Sequence, residues 1–232
     1  MKIILGDGLL GKELIKQTDW QHISRKKDGI DIRKTNTIKR LIPSNCTYLI
    51  NCIANTDTYS ENKLDMLEAN YYSVKDLVSF CNINNIKYVH YSTDYVYAGS
   101  VSNALETDKA VPDETWYAKS KLFADYWIES WSLNYLIVRG SHRISPFPYP
   151  KAWSNQVGNF DDVEILVDQW KKLIEADETG LWNIGTPTKS VYEYAKRSRK
   201  DVEAAEAPSH FPLNTTMNLD KLNHFLEKIK QK

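Results

Sequence analysis

The chain has 232 residues, enough for one domain, or one domain with a small appendage, around a sizeable buried core. Thirty basic residues balance thirty acidic ones, so charge gives no reason to expect nucleic acid or an anionic membrane as a partner. No run of about 18 apolar residues occurs, and Met1-Lys2 leads straight into a strand-like segment instead of a signal peptide; the expectation is a protein that neither spans a membrane nor is exported.

Short β-branched or aromatic runs alternate with longer helical patterns. Lys2 to Leu5 is the first predicted strand and Leu9 to Gln17 its helix; Trp20 to Ile23 and Thr47 to Ile50 follow as strands. A long amphipathic stretch then runs from about Lys63 to Phe80, followed by a strand at Lys87 to Tyr91, a helix from Tyr117 to about Trp131 and a strand at Tyr135 to Val138. This alternation predicts an α/β fold: a Rossmann-type doubly wound parallel sheet with its first strand central and helices on both faces. Ligands in such sheets bind beyond the carboxyl ends of the strands, and Gly6, Asn51, Ser92 and Arg139 each stand at one of those ends.

After Arg139 the character changes. Ser145 to Pro150 carries three prolines and reads as a loop leaving the sheet. Asp161 to Ala176 reads as a helix, Leu181 to Ile184 as a short strand and Leu219 to Lys230 as a terminal helix, while Arg199 to Pro208 reads as a mobile surface segment or helix. The expected division is a dinucleotide-binding domain over residues 1–143 and a small substrate-binding region over 144–232 packed on it. Cys46, Cys52 and Cys81 are odd in number and lack metal-ligand spacing, which points to packed thiols in a reducing cytoplasm.

Gly6, Gly8 and Gly11 follow the first strand at the spacing of a dinucleotide-binding turn, although an ordinary glycine turn has the same pattern. An NAD site would place an acidic residue at the end of the second strand to hold the ribose hydroxyls. Ser24-Arg25-Lys26-Lys27 stands there instead; a hydroxyl with cations suits the 2′-phosphate of NADP(H) over NAD(H), and the plain alternative is a solvated basic loop. Tyr117 and Lys121 are four positions apart on a helix and share a face, so an ammonium can favour ionisation of a phenol whose free pKa is about 10. Taken singly, Lys121 is also an exposed helix residue, Thr93 a turn residue and Tyr117 a half-buried aromatic.

Together these residues resemble the extended short-chain dehydrogenase/reductases, and within them the dTDP-4-dehydrorhamnose reductase group. The motifs that carry the resemblance are Gly6-Asp7-Gly8-Leu9-Leu10-Gly11, Asp31-Ile32, Asn51-Cys52-Ile53-Ala54-Asn55-Thr56, Glu68-Ala69-Asn70, His90 to Tyr97, Trp116 to Leu122 and Val138-Arg139. The resemblance implies an NAD(P)-dependent oxidoreductase acting on a nucleotide sugar. It implies Tyr117 as general acid, Lys121 as the group that lowers the Tyr117 pKa and binds the nicotinamide ribose, and Thr93 as a hydrogen-bond donor to the substrate oxygen. Gly6, Gly8, Leu9, Leu10, Gly11, Asp31, Ile32, Asn51, Cys52, Ile53 and Ala54 would line the cofactor. Asn55, Asp94, Tyr95 and Trp153 would face the sugar, with a structural turn as the other reading of Asp94 and Tyr95 and a core or surface role as that of Trp153.

The chain departs from the group in Asp57-Thr58-Tyr59, in Ala118 and Ala124-Asp125 on the Tyr117 helix, and in a shortened segment after Arg139. Other activities consistent with the residues are a nucleotide-sugar epimerase or dehydratase, a reductase of another small carbonyl, and a non-catalytic NADP-binding regulatory subunit. The helices at 63–80 and 117–131 carry apolar faces that either pair in a homodimer or cover the sheet.

Overall fold

The computed structural model describes residues 1–231. In chain order the elements are β1 (Lys2–Leu5), α1 (Leu9–Gln17), β2 (Gln21–Ile23), α2 (Arg25–Asp28), α3 (Thr35–Leu41), β3 (Tyr48–Asn51), α4 (Lys63–Leu67), a π-helical turn (Glu68–Tyr72), α5 (Ser73–Ile83), β4 (Lys87–Tyr91), a 3₁₀ turn (Asp94–Tyr97), α6 (Trp116–Trp131) and β5 (Tyr135–Arg139). The C-terminal part adds β6 (His142–Arg143), β7 (Lys151–Trp153), β8 (Val157–Gly158), β9 (Asp161–Asp162), α7 (Val163–Glu175), β10 (Gly180–Asn183), β11 (Lys189–Ser190), α8 (Val191–Ser198), β12 (Glu203–Ala205) and α9 (Asp220–Lys230).

Six strands form one sheet in the order β10-β5-β4-β3-β1-β2, all pairs parallel. From β1 the chain winds one way to β2 and, starting again at β3, the other way to β10. The reversal lies between β1 and β3, the place where such sheets leave a crevice at their carboxyl ends. The first strand is therefore interior but not central: only β2 lies outside it, because the chain after β2 turns into α2 and α3 without adding a further strand.

Successive strand residues alternate between two apolar layers, as the pleat requires. Ile3, Leu5, Leu49, Tyr88 and Ile137 meet Ile38 of α3, Val74, Leu77 and Cys81 of α5, and Ala124 and Ile128 of α6. Ile4, Ile50, Val89, Leu136 and Val138 meet Leu14 of α1, Leu166, Trp170 and Leu173 of α7, and Leu222 and Phe225 of α9. Burial on both faces explains why the strands read as continuous apolar runs.

The single helix expected from Lys63 to Phe80 is broken at the π-helical turn and runs on to Ile83. Asn70 lies in that turn, and its side chain accepts from Asn55 N at 2.7 Å and donates to Asn55 O at 3.0 Å and Ser120 Oγ at 3.1 Å. The wider turn aims one amide at a loop and a neighbouring helix at once, a use typical of π-bulges at functional places.

The segment from Arg199 to Pro208 is neither helix nor unattached: β12 pairs in parallel with β7, and Glu203 N donates to Pro150 O at 2.9 Å. The expected boundary at residue 143 does not follow the sheet. Strand β10, from the C-terminal part, completes one edge by pairing with β5, while α7 and α9 supply most of the helical side of one apolar layer. A smaller cluster around Phe147, Phe160, Val191 and Tyr194 packs the rest of that part. Among the described residues no helix is long and apolar enough to cross a membrane and no group of side chains is arranged to hold a metal ion. All three cysteines are free thiols.

Asp125 of α6 and Arg139 at the end of β5 form an ion pair at 2.9 Å in which the two side chains are 0% and 2% exposed. Removing one member of such a pair strands the other charge, so Asp125→Ala is expected to lower the unfolding free energy by about 3–5 kcal/mol, read from the shift of the urea midpoint.

Candidate active site

The turn after β1 is shaped by close backbone approach. Gly6 has φ +96°, and a Cβ on Gly11 would lie 2.1 Å from the Gly6 carbonyl oxygen, so no larger residue fits at position 11 without moving the turn. Gly8 caps α1 from an extended conformation with no side-chain cap, and nothing stands within 4 Å of where its Cβ would be. The amides of the first turn of α1 therefore face open space, where the positive end of the helix favours an anion.

Opposite this turn runs Cys52-Ile53-Ala54-Asn55. Asn51 does not reach the crevice; its Oδ1 accepts from Ile53 N at 3.0 Å and its Nδ2 donates to Tyr88 Oη at 3.0 Å, which fixes the turn from beneath. The Cys52 thiol is pushed well up by burial and stays neutral. Gly6, Gly8, Asp31, Ile32, Asn55 and Arg25 line one chamber of about 490 Å³ with this segment. Arg33 closes it, binding Asp31 through Nη2 at 2.9 Å and Asp65 through Nη1 at 2.7 Å, and its guanidinium holds the Asp31 carboxyl below the usual range. Ser24, expected beside the cofactor, is buried: its hydroxyl caps α2 by accepting from Lys27 N at 3.1 Å, and it does not line the chamber.

A second chamber of about 420 Å³ continues past Gly8, Leu9 and Leu10 and contains Thr93, Tyr95, Tyr117 and Lys121. Thr115 accepts from Ala118 N at 3.2 Å and so starts α6 where Tyr117 falls in its first turn and Lys121 one turn later on the same face. Burial at the base of the chamber pushes the Tyr117 phenol up to about 12, with the Thr93 hydroxyl pulling the other way, so the phenol is a protonated donor at neutral pH.

Lys121 is 2% exposed; its Nζ donates to Tyr91 O at 2.7 Å and stands 3.0 Å from His90 Nε2. Burial lowers its ammonium to about 8, opposed by the charge of Asp125. The expectation that Lys121 lowers the Tyr117 pKa does not match this geometry, because the ammonium is spent on the β4 backbone and the His90 ring, and the largest pulls favouring the phenolate come from Thr93 and Arg143.

Three residues expected at the sugar lie elsewhere, the first of them Asn55, which lines the first chamber and not the second. Asp94 is fully buried and accepts from Thr215 Oγ1 at 2.8 Å and from Thr93 Oγ1 at 3.3 Å, so it positions Thr93 and does not line the chamber. Trp153 packs edge-on against Phe211 in the C-terminal cluster, outside the chamber, because β7 is held by β12 and not by the sheet. Tyr95 does line it, with its ring 6.3 Å from that of Tyr117. Thr56, Thr58, Ser141, His142 and Arg143, to which the sequence alone assigns no site role, also line it. His142 and Arg143 follow directly on the strand end at Arg139, and that position was the available signal.

Residues 1–170 match the family described as the RmlD substrate binding domain. A probable low-salt glycan biosynthesis reductase of Haloferax volcanii is 31% identical over 114 residues, which are 47% of this chain and 38% of that protein. The chain thus spans well under half the length of that curated relative. Among solved structures, a dTDP-4-dehydrorhamnose reductase of Clostridium acetobutylicum superposes with a TM-score of 0.83 at 21% identity, over 99% of this chain and 93% of the other. The same enzyme of Bacillus anthracis, solved in complex with NADP, gives 0.82 at 18% identity over 100% and 98%. At these identities the superpositions establish the fold: a Rossmann-like parallel sheet flanked by helices. With a match over residues 1–170, the chain belongs to the RmlD substrate binding domain family.

Proposed function

We propose that the protein is an NADPH-dependent reductase of a nucleotide-activated 4-keto-6-deoxy sugar. The observation that carries this reading is the adjacency of two chambers that share Gly8, Cys52, Ile53 and Ala54 in their walls, one at the glycine turn of β1 and the other holding Thr93, Tyr117 and Lys121. The family match and the named activities of the similar proteins support it.

The chain's own residues fit a dinucleotide: the open first turn of α1 suits a diphosphate, and the space beside Gly8 is what a side chain would fill. Arg25, exposed at the rim of the first chamber, would hold a 2′-phosphate, with Asp31 and Ile32 beside the adenine. The cofactor, when bound, supplies the hydride. Tyr117 donates the proton to the carbonyl oxygen, and its high pKa keeps that proton in place until negative charge develops there. The Thr93 hydroxyl rests with its one proton on Asp94, itself fixed by Thr215, and would turn that proton to the same oxygen as negative charge develops there. Lys121, with two of its three N–H donors directed at Tyr91 O and His90, would offer the remaining one to the nicotinamide ribose. An epimerase or dehydratase would turn over bound cofactor with no net oxidation of NADPH, and no residue of the chamber favours that reading over reduction.

If Arg25 reads the 2′-phosphate, NADPH binds with a lower dissociation constant than NADH and Arg25→Ala narrows the gap; calorimetry giving equal constants in the unmodified protein would rule this out. Tyr117→Phe is expected to cut turnover by about 10²- to 10⁴-fold while leaving cofactor binding intact, measured by NADPH oxidation with a panel of nucleotide 4-keto-6-deoxy sugars. The Lys121 ammonium sets a pH limit. Its pKa is about 8 in the folded protein against 10.5 when exposed, so cofactor affinity should be level below pH 8 and fall above it, a dependence that Lys121→Met abolishes. In the same window the unfolded chain binds the proton and the folded one does not, so this group makes folding stability rise with pH, and its contribution is lost as pH falls through about 8.

A further inference from the structure

Arg143 lines the catalytic chamber together with Tyr95 and Tyr117, half-buried on the short strand β6. Its guanidinium lies against the Phe160 ring, 4.6 Å from centroid to Cζ, and Nη1 donates to Ser141 Oγ at 2.8 Å and to His142 O at 3.4 Å. These contacts fix the plane of the fork and leave Nε and Nη2 without an acceptor among the described residues. Arg33, Arg139, Arg197 and Arg199 are each paired with an aspartate; Arg143 is not.

The surroundings of this cation are neutral. No aspartate or glutamate lines the chamber, and burial together with the neighbouring guanidinium lowers His142 to about 4, so its ring is uncharged at neutral pH. The carboxylate that feels Arg143 most is Asp94, which is buried and turned toward Thr93 and Thr215. Lys121, the chamber's other cation, is occupied by Tyr91 O and His90. A half-desolvated guanidinium with free donors and no counter-charge is poised for an oxyanion, and its planar fork suits a phosphate or carboxylate.

We propose that Arg143 is the receptor for an oxyanion carried by the substrate on the same molecule as the reacting carbonyl, and thereby a specificity-determining residue of the site. The oxyanion is a phosphate of a nucleotide diphosphate or a carboxylate on the sugar. This rests on the reductase reading for the carbonyl, but not for the binding of the anion. A substrate anchored at Arg143 and bonded at Tyr117 is held at two points across one chamber, which orients the carbonyl and discriminates against neutral carbonyl compounds of the same size.

The test uses the full-length protein loaded with NADP⁺ and calorimetric titration with dTDP, UDP, inorganic pyrophosphate and galacturonate. Arg143→Gln should weaken binding of at least one of these by about tenfold or more, the worth of a charge-assisted hydrogen bond, while NADP⁺ affinity stays unchanged. Arg143→Lys should recover part of the loss. Weakening confined to the diphosphates identifies a phosphate, and weakening confined to galacturonate identifies a carboxylate. In the unmodified protein the bound probe should protect Arg143 from phenylglyoxal, read by mass spectrometry, so the result does not depend on the variants folding. The inference is overturned if every probe binds Arg143→Gln and the parent alike, or if none protects Arg143. Reduction of keto-sugars by both proteins with unchanged KM would then leave the reductase reading standing alone. Conversely, anion binding that depends on Arg143 in a protein that oxidises no NADPH would sink that reading and keep the receptor.

Discussion

The geometry of the chamber around Thr93, Tyr117 and Lys121 hangs on one buried carboxylate oxygen. Asp125 Oδ2 accepts from Ser92 Oγ at 2.9 Å and from Arg139 Nε at 2.9 Å. Asp125 lies one turn beyond Lys121 on α6, Ser92 immediately precedes Thr93, and Arg139 ends β5 just before the segment that carries Arg143. The helix that supplies Tyr117 and Lys121, the loop that supplies Thr93 and the strand that leads to the rest of the chamber are thus fixed to a single point. Arg139 extends the tie by donating to Tyr97 Oη at 2.7 Å; that hydroxyl donates to Asn183 Oδ1 at 3.2 Å, at the end of β10. Burying such a pair brings little net stability, since desolvation consumes most of the Coulomb gain. Its value here is positional: α6 and the ends of β4, β5 and β10 cannot slide past one another without leaving a charge unpaired in the core.

The chamber built on that point is unusual in its balance of charge. Its ionisable phenol is kept neutral by burial, its histidine likewise, and its buried lysine is held close to losing its proton. Two cations, Lys121 and Arg143, and the residues that open α1 line this chamber, and the nearest carboxylate, Asp94, is turned away into its own hydrogen bonds. In a site of low polarity each such charge acts at longer reach than in water. The arrangement suits ligands that bring several negative charges and leave a carbonyl uncharged until the moment of reaction.

Much of this was legible in the sequence, and the places where it was not have physical reasons. Strand β4 and helix α1 fall where the apolar pattern puts them because both bury a regular face in the core. Helix α3, Thr-Asn-Thr-Ile-Lys-Arg-Leu, buries Thr35 and Ile38 and offers no periodic apolar stripe, so it went unread. Strand β12 is Glu-Ala-Ala and is made by backbone pairing alone. At the site, helix spacing puts Tyr117 and Lys121 on one face and the strand ends bring Ser92 to the same edge, while Thr93 is singled out by the family resemblance alone. Ser24 and Asp94 could not be judged, because a hydroxyl spent on a helix cap and a carboxylate spent on Thr215 look the same in sequence as free ones; only partners distant in the chain decide.

The same dependence on distant partners explains why the C-terminal part is not an appendage. Thr215 holds Asp94 beneath Thr93, Asn183 donates to Ala104 O and Asn218 O, and Asn159 Oδ1 accepts from Met217 N in the interior. Each bond joins a segment after residue 150 either to the loop that follows β4 or to another part of the C-terminal fold. Buried amides and carboxylates leave few alternative pairings, so the C-terminal part is set in register with the loop that carries Thr93. A change in the C-terminal part would therefore reach Thr93 through Thr215 and Asp94, without touching Tyr117 or Lys121.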